Sequence, residues 1–199
     1  MKELYEKYLE TFNYNKTTVD KFNGDDINHL WFTSDTHFGS DKTITKAARP
    51  FDSTKEMEKE IVKQWNKTVK PGDIVYHLGD FGDLNVLPKL NGRIRLIMGN
   101  HERKEGLSIE ELLAAGFDEV HESTKIIMVN GMMINLCHEP SKHNEHMFNL
   151  FGHLHNLILL KKFGVNVGVD CHHYRPINFD RIELYIRLRD NAYKGELFI

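Results

Sequence analysis

The sequence predicts an α/β sandwich with mixed sheets, on three observations. Apolar strand-like runs alternate with amphipathic helical stretches through the first half of the chain. An antiparallel hairpin follows in the second half, which a purely parallel sheet would not contain. Across all 199 residues there is no internal repeat, low-complexity tract or linker-like stretch, so residues 1–199 are expected to form a single domain.

Taken in order, Leu4, Tyr8, Leu9 and Phe12 recur at near-helical spacing and predict a helix over about residues 1–22, packed on the body. With Tyr5, these side chains are expected to cover the chain's own core. Asn23-Gly24-Asp25-Asp26 breaks the pattern, and residues 30–33 read as a short buried strand. Ser53 and Glu56 stand at capping-box spacing ahead of an apolar stripe of Met57, Ile61, Val62 and Trp65, so a helix starts there and ends at Pro71-Gly72. Residues 74–76 and 94–98 are further strands. Residues 108–115 repeat the helix signature, with Ser108 and Glu111 at the start and Gly116 as the stop. Asn130-Gly131 between residues 126–129 and 132–136 is a strong hairpin signal. Residues 147–151 and 165–169 are expected to be strands as well.

Composition narrows the class. With 40% hydrophobic and 28% charged residues, the chain reads as an ordinary globular protein. A formal net charge of -3 argues against a strong nucleic-acid-binding surface. Cys137 and Cys171 form no CxxC pair, which excludes a disulfide framework and a Cys-rich zinc site. The first residues lack the apolar stretch of a signal peptide, and no apolar run approaches the roughly 20 residues of a membrane span. The expectation is a cytoplasmic protein with no membrane partner; its oligomeric state is left open. Histidine is the unusual component, with 12 copies.

Their placement carries the chemistry. Five times an apolar run stops and a potential metal ligand follows at once: Asp35-Thr36-His37, Gly79-Asp80, Gly99-Asn100-His101, His138, and Gly152-His153-Leu154-His155. Any one of these is ordinarily a turn or plain polar surface. As an ordered set at strand ends they are not, because ligands of α/β sheets gather beyond the carboxyl ends of strands. If these segments are extended, residues two apart face one side, so Asp-x-His and His-x-His each aim both side chains at one site.

This series resembles that of the calcineurin-like metallophosphoesterase superfamily: Asp-x-His, Gly-Asp, Gly-Asn-His, a lone His, then Gly-His-x-His, all present in order from Asp35 to His155. The Arg49-Pro50-Phe51 and Tyr174-Arg175-Pro176 segments look like those of small bacterial and phage members. The resemblance implies a four-layer α/β sandwich of two mixed β-sheets flanked by helices. It also implies two metal positions, one among Asp35, His37, Asp80 and His155 and the other among Asn100, His138 and His153, with Asp80 bridging. His101 is left unligated near the leaving group. Glu102 stands where many small members carry Asp, and Glu139 precedes Pro140 where an aromatic is common.

Nitrogen and oxygen donors without thiolate suit manganese, iron, zinc or nickel, with manganese the first choice of the two divalent ions expected as cofactors. Two such ions roughly 3.5–4 Å apart activate a shared water near neutral pH for in-line attack on phosphorus. His101 is the candidate general acid, since imidazole with an ordinary pKa near ~6.5 gives up a proton at cellular pH; hydrogen bonding to bound phosphate is its alternative role. Arg175 and Arg49 are candidate phosphate donors, or else solvated surface arginines. His29, His77, His121, His143, His146, His172 and His173 fit no ligand slot. The function expected is hydrolysis of a small-molecule or nucleotidic phosphodiester. A phosphomonoesterase with the same centre and a non-catalytic scaffold of the same fold are the alternatives.

Overall fold

Backbone pairing begins inside the segment that the sequence pattern marked as helical. The structure, a computed structural model, describes residues 19–192. The expected N-terminal helix therefore lies outside the described residues up to residue 18. Its last part is corrected: Asp20–Phe22 forms strand β1, parallel to β6 (Thr124–Val129), with Phe22 opposite Val129. The Phe22 side chain enters the core, and Asp20 accepts a 2.6 Å hydrogen bond from the Tyr76 hydroxyl. These long-range contacts override a helical spacing carried by upstream residues.

Five strands make one sheet. Strands β2 (Leu30–Thr33), β3 (Ile74–His77), β4 (Arg93–Ile97) and β5 (Glu119–His121) run parallel, and β11 (Ile177–Asn178) adds antiparallel to β2, in the order β11-β2-β3-β4-β5. The other sheet contains β7 (Met132–Cys137), β8 (Phe148–Phe151), β9 (Leu160–Lys161) and β10 (Gly164–Asn166), in the order β1-β6-β7-β8-β10-β9. Parallel and antiparallel neighbours occur in both. The chain is thus a mixed α/β fold of two mixed sheets flanked by helices.

Two apolar clusters hold these layers. Phe32, Tyr76 and Ile97 of the five-stranded sheet share one with Ile127, Leu136, Leu150 and Val165 of the other, and with Phe179, Ile182 and Ile186 of helix α5 (Phe179–Arg187). The second gathers Val75, Ile94 and Leu96 with Met57, Ile61 and Trp65 of helix α2 (Thr54–Thr68) and Leu112 of helix α4 (Ile109–Ala115). The parallel strands are therefore covered on both faces, as parallel sheets require. Each fully buried large side chain contributes roughly 1.5–3 kcal/mol.

Local chemistry sets the element ends. Ser53 Oγ accepts from the Glu56 amide at 3.2 Å, while the Glu56 carboxylate reaches back to the Asp52 amide, one residue earlier than a reciprocal capping box. Ser108 and Glu111 do form that box, and Gly116 ends α4 at φ 119°. Asn130 and Gly131 turn the hairpin at φ 49° and 77°, the left-handed pair that a tight two-residue turn needs. The strand expected over residues 165–169 is shorter: β10 stops at Asn166, and a 3-10 turn, Val169–Cys171, follows. The short helices α1 (Asp41–Lys46) and α3 (Asn100–Lys104) sit next to the motif loops. Among the described residues no helix is long and apolar enough to cross a membrane.

Candidate metal centre

The five motifs leave strands of both sheets: β2, β3 and β4 of one, β7 and β8 of the other. Their side chains nevertheless meet. Asp80 lies in the middle, with Oδ2 3.5 Å from His37 Nε2 and 3.9 Å from His101 Nε2, and Oδ1 3.4 Å from His138 Nε2. His138 Nε2 is also 3.0 Å from Asn100 Oδ1 and 3.3 Å from His153 Nδ1, and Asn100 Oδ1 is 2.9 Å from that same His153 nitrogen. Asp35, His37 and His155 offer donor atoms within 4.8 Å of one another, as do Asp35, Asp80 and His138. All seven residues assigned as ligands from the sequence therefore converge, in two overlapping groups.

The motif loops are not extended, and the alternation argument for Asp-x-His and His-x-His is corrected. Asp35, His37, Asp80, His153 and His155 all adopt positive φ, between 48° and 70°. The two members of each pair share a side because both occupy left-handed turns. Such backbone costs about 1–3 kcal/mol per residue and persists only where its surroundings enforce it. Close packing is one enforcer: a Cβ on Gly79 would lie 2.5 Å from the Gly99 backbone, and one on Gly99 would lie 2.5 Å from the Asp80 amide. Only two glycines let the Gly-Asp and Gly-Asn-His loops touch.

Glu102 is another. Its buried carboxylate accepts from the amides of Gly99 at 2.7 Å, Asp80 at 2.9 Å and Phe81 at 2.7 Å. One side chain thus clamps the second motif to the third. Orientation of the ligands is equally specified. His138 Nδ1 is 2.7 Å from the Leu78 carbonyl, an acceptor, so Nδ1 carries the proton and Nε2 faces the site. His155 Nδ1 is 2.8 Å from Asp170 Oδ2 and the His155 carbonyl accepts from Asn166 Nδ2 at 2.8 Å.

The electrostatics suit a cation. Burial drives the His37 pKa down to about 3 against the pull of Asp80, so its ring is neutral, and its buried Nε2 has no hydrogen-bond partner among the described residues. Burial raises the carboxyl of Asp35, only partly offset by His138 and His155. For Asp80, burial is outweighed by the hydrogen bond and charge of His138 and by the His101 amide, which hold it below the usual carboxylate range. Burial also opposes charge on His138, yet its bond to Asp80 and the fields of Asp35 and Asp80 push it up to about 9. The Asp80 carboxylate therefore draws positive charge into the site, and the His37 nitrogen is an unprotonated donor atom with no proton to accept. Divalent metal fits both facts.

Arg49 is corrected. Its side chain is fully buried: it donates to both oxygens of Asp170 and to the carbonyls of Asp35 and Thr36, so it does not face the crevice as a phosphate donor. Arg175 is half-buried in the loop after the Val169–Cys171 turn. Among histidines without a ligand slot, His77 contacts the Thr36 hydroxyl, and His143 and His172 the carbonyls of Pro140 and Asn166. The sequence reading missed Asp170. A lone acid in Gly-Val-Asp-Cys carries no motif spacing, and only the neighbouring Tyr174-Arg175-Pro176 segment hinted that this loop mattered.

Residues 29–169 match the calcineurin-like phosphoesterase superfamily domain. An uncharacterized protein of Methanocaldococcus jannaschii is 31% identical over 171 residues, which cover 77% of this chain and 88% of that protein. A protein of unknown function from Aquifex aeolicus has a similar structure, with a TM-score of 0.63 and 28% identity over 78% of this chain and 97% of that one. An archaeal phosphodiesterase is more distant, at a TM-score of 0.42 and 17% identity over 70% of this chain and 81% of that one.

Proposed function

The chain belongs to the calcineurin-like phosphoesterase superfamily, a family of metal-dependent phosphoester hydrolases, and on that premise we propose that it is a phosphodiesterase with a two-metal centre. Asp35, His37, Asp80 and His155 would hold one divalent ion, and Asn100, His138 and His153 the other, with Asp80 shared. The observation that carries this reading is the Asp80 carboxylate, one oxygen turned to His37 and the other to His138. When bound, two such ions supply Lewis acidity toward phosphoryl oxygen and a water acidified to near neutral pH.

The chain's own residues do the rest. Hydrogen bonds at Nδ1 orient His138 and His155 so that Nε2 faces the site as the atom that would hold the metal. His101, with a side chain 46% exposed and its Nε2 on the Asp80 side of the crevice, donates a proton to the departing ester oxygen. His153 and His101 leave the rim of the site open to solvent, which suits an ester with groups on both sides of phosphorus. Manganese is the ion proposed, on the nitrogen-rich donor set.

The test is hydrolysis of bis-p-nitrophenyl phosphate and p-nitrophenyl phosphate by metal-stripped protein before and after manganese, with Asp80→Asn alongside. Manganese-dependent diester cleavage that disappears in Asp80→Asn is the expected result. Faster cleavage of the monoester would transfer the proposal to a phosphomonoesterase. No cleavage of either ester with manganese, iron, zinc or nickel would sink the catalytic reading.

A further inference from the structure

We infer that the buried Arg49–Asp170 ion pair is a positioning device for one half of the metal centre: Asp170 fixes His155 with Nε2 toward the metal, and Arg49 pins the turn at residues 35–37. The inference rests on the proposed reading of His155 as a metal ligand.

The chemistry of Asp170 is decisive. An ionised carboxylate only accepts hydrogen bonds, so the 2.8 Å contact between Asp170 Oδ2 and His155 Nδ1 requires the proton on Nδ1. His155 Nε2 is then the free lone pair. Arg49 holds the carboxylate in a two-pronged grip, Nε to Oδ1 at 2.7 Å and a terminal nitrogen to Oδ2 at 2.9 Å. Its other donors reach the Thr36 carbonyl at 2.9 Å and the Asp35 carbonyl at 2.6 Å.

A buried ion pair is by itself a weak argument for stability, because desolvation offsets attraction. What singles this one out is where it points. The two side chains are 0% and 2% exposed, and they join segments 121 residues apart. Apart from the contact of Arg49 with Met57 Sδ, their side-chain hydrogen bonds end on Asp35, Thr36 and His155. Asp35, His37 and His155 form one ligand group and all three sit in left-handed backbone, the kind of strain that needs outside support. The opposite group has supports of its own, His138 at the Leu78 carbonyl and Asn100 in its contacts to His138 and His153, although the His153 amide also donates to the Asp35 carboxylate at 2.9 Å. The pair should therefore matter much more for one metal than for the other.

Asp170→Asn tests this, because an amide cannot serve both neighbours. With its oxygen toward Arg49, its NH2 forces His155 to accept at Nδ1 and to carry its proton on Nε2. With the amide reversed, NH2 faces the Arg49 donors. Manganese titration of metal-stripped wild type and Asp170→Asn is paired with 15N NMR of the imidazole nitrogens in the stripped proteins. The expected result is two ions in wild type. In the variant one ion keeps its affinity and the other binds about 10–100-fold more weakly, with His155 moved to the Nε2–H form. Wild-type affinity for both ions with His155 still Nδ1–H overturns the inference and leaves the proposed function standing. A wild type that takes up no ion fails the functional reading instead, and the His155 tautomer still reports on Asp170. Arg49→Lys guards against a variant that does not fold, since it keeps the charge and loses the fork. Selective weakening of one ion supports the inference, and equal weakening of both marks a merely structural pair and overturns it.

Discussion

His101, like His153, is reachable from solvent. Its ring packs edge-on to His37 at 4.7 Å between centroids, while its side chain stays 46% exposed. Among the described residues no backbone carbonyl or carboxylate within hydrogen-bond distance fixes its tautomer, unlike those of His138 and His155. That arrangement suits the proposed role of His101 as proton donor. His101→Ala should lower kcat by about 10²–10⁴ for a diester with an alkoxide leaving group. The loss should be much smaller for a p-nitrophenyl ester, whose leaving group departs without a proton, and metal content should not change. Equal loss with both esters would contradict the acid role.

Elements place these side chains, and the connection between them is often a single residue. Glu102, at the third position of α3, accepts from three amides of two different loops. Glu102→Ala strands buried amides at a cost of about 1–3 kcal/mol each. Chemical denaturation should show a loss on the order of 3 kcal/mol or more, with metal affinity falling as well; a loss under ~1 kcal/mol would show that the clamp is dispensable. The elements also mark how much the sequence disclosed. Ser53, Ser108, Gly116 and Asn130-Gly131 announced two helices and a hairpin because capping and tight turns are local chemistry. The motif series was legible because each member follows an apolar strand. Other features were not. The strand at Asp20–Phe22 is three residues long and exists through its partner β6. The left-handed φ of Asp35, His37, Asp80, His153 and His155 has only a weak residue signature, since Asp and His tolerate that region better than most residues but none of the five is glycine. Arg49 and Asp170 meet across 121 residues, a distance at which no spacing rule operates. Helix α5 was overlooked although Asn178, Phe179, Ile182 and Ile186 carry a cap and an apolar spacing.

At the scale of the molecule, the site belongs to neither sheet alone. Three motif loops come from the five-stranded sheet and two from the six-stranded one, so an ion held as proposed would tie both sheets together. Metal at about 100 times its dissociation constant would add about 2.7 kcal/mol to folding stability. The same seam concentrates charge. Asp80 and Asp35 keep a proton on His138, whose pKa is pushed up to about 9, and a metal must displace that proton. Since the folded value lies above the ordinary ~6.5, the proton is bound through neutral pH and lost only as pH rises toward 9. Metal affinity should therefore climb with pH across that window, by up to about tenfold per unit for one proton released. Calorimetric titration of metal-stripped protein with manganese, repeated across that range, measures both number and pH dependence. Two ions per chain, bound more tightly as pH rises, is the predicted result. One ion or none, or an affinity indifferent to pH, would contradict a two-metal centre built on Asp80.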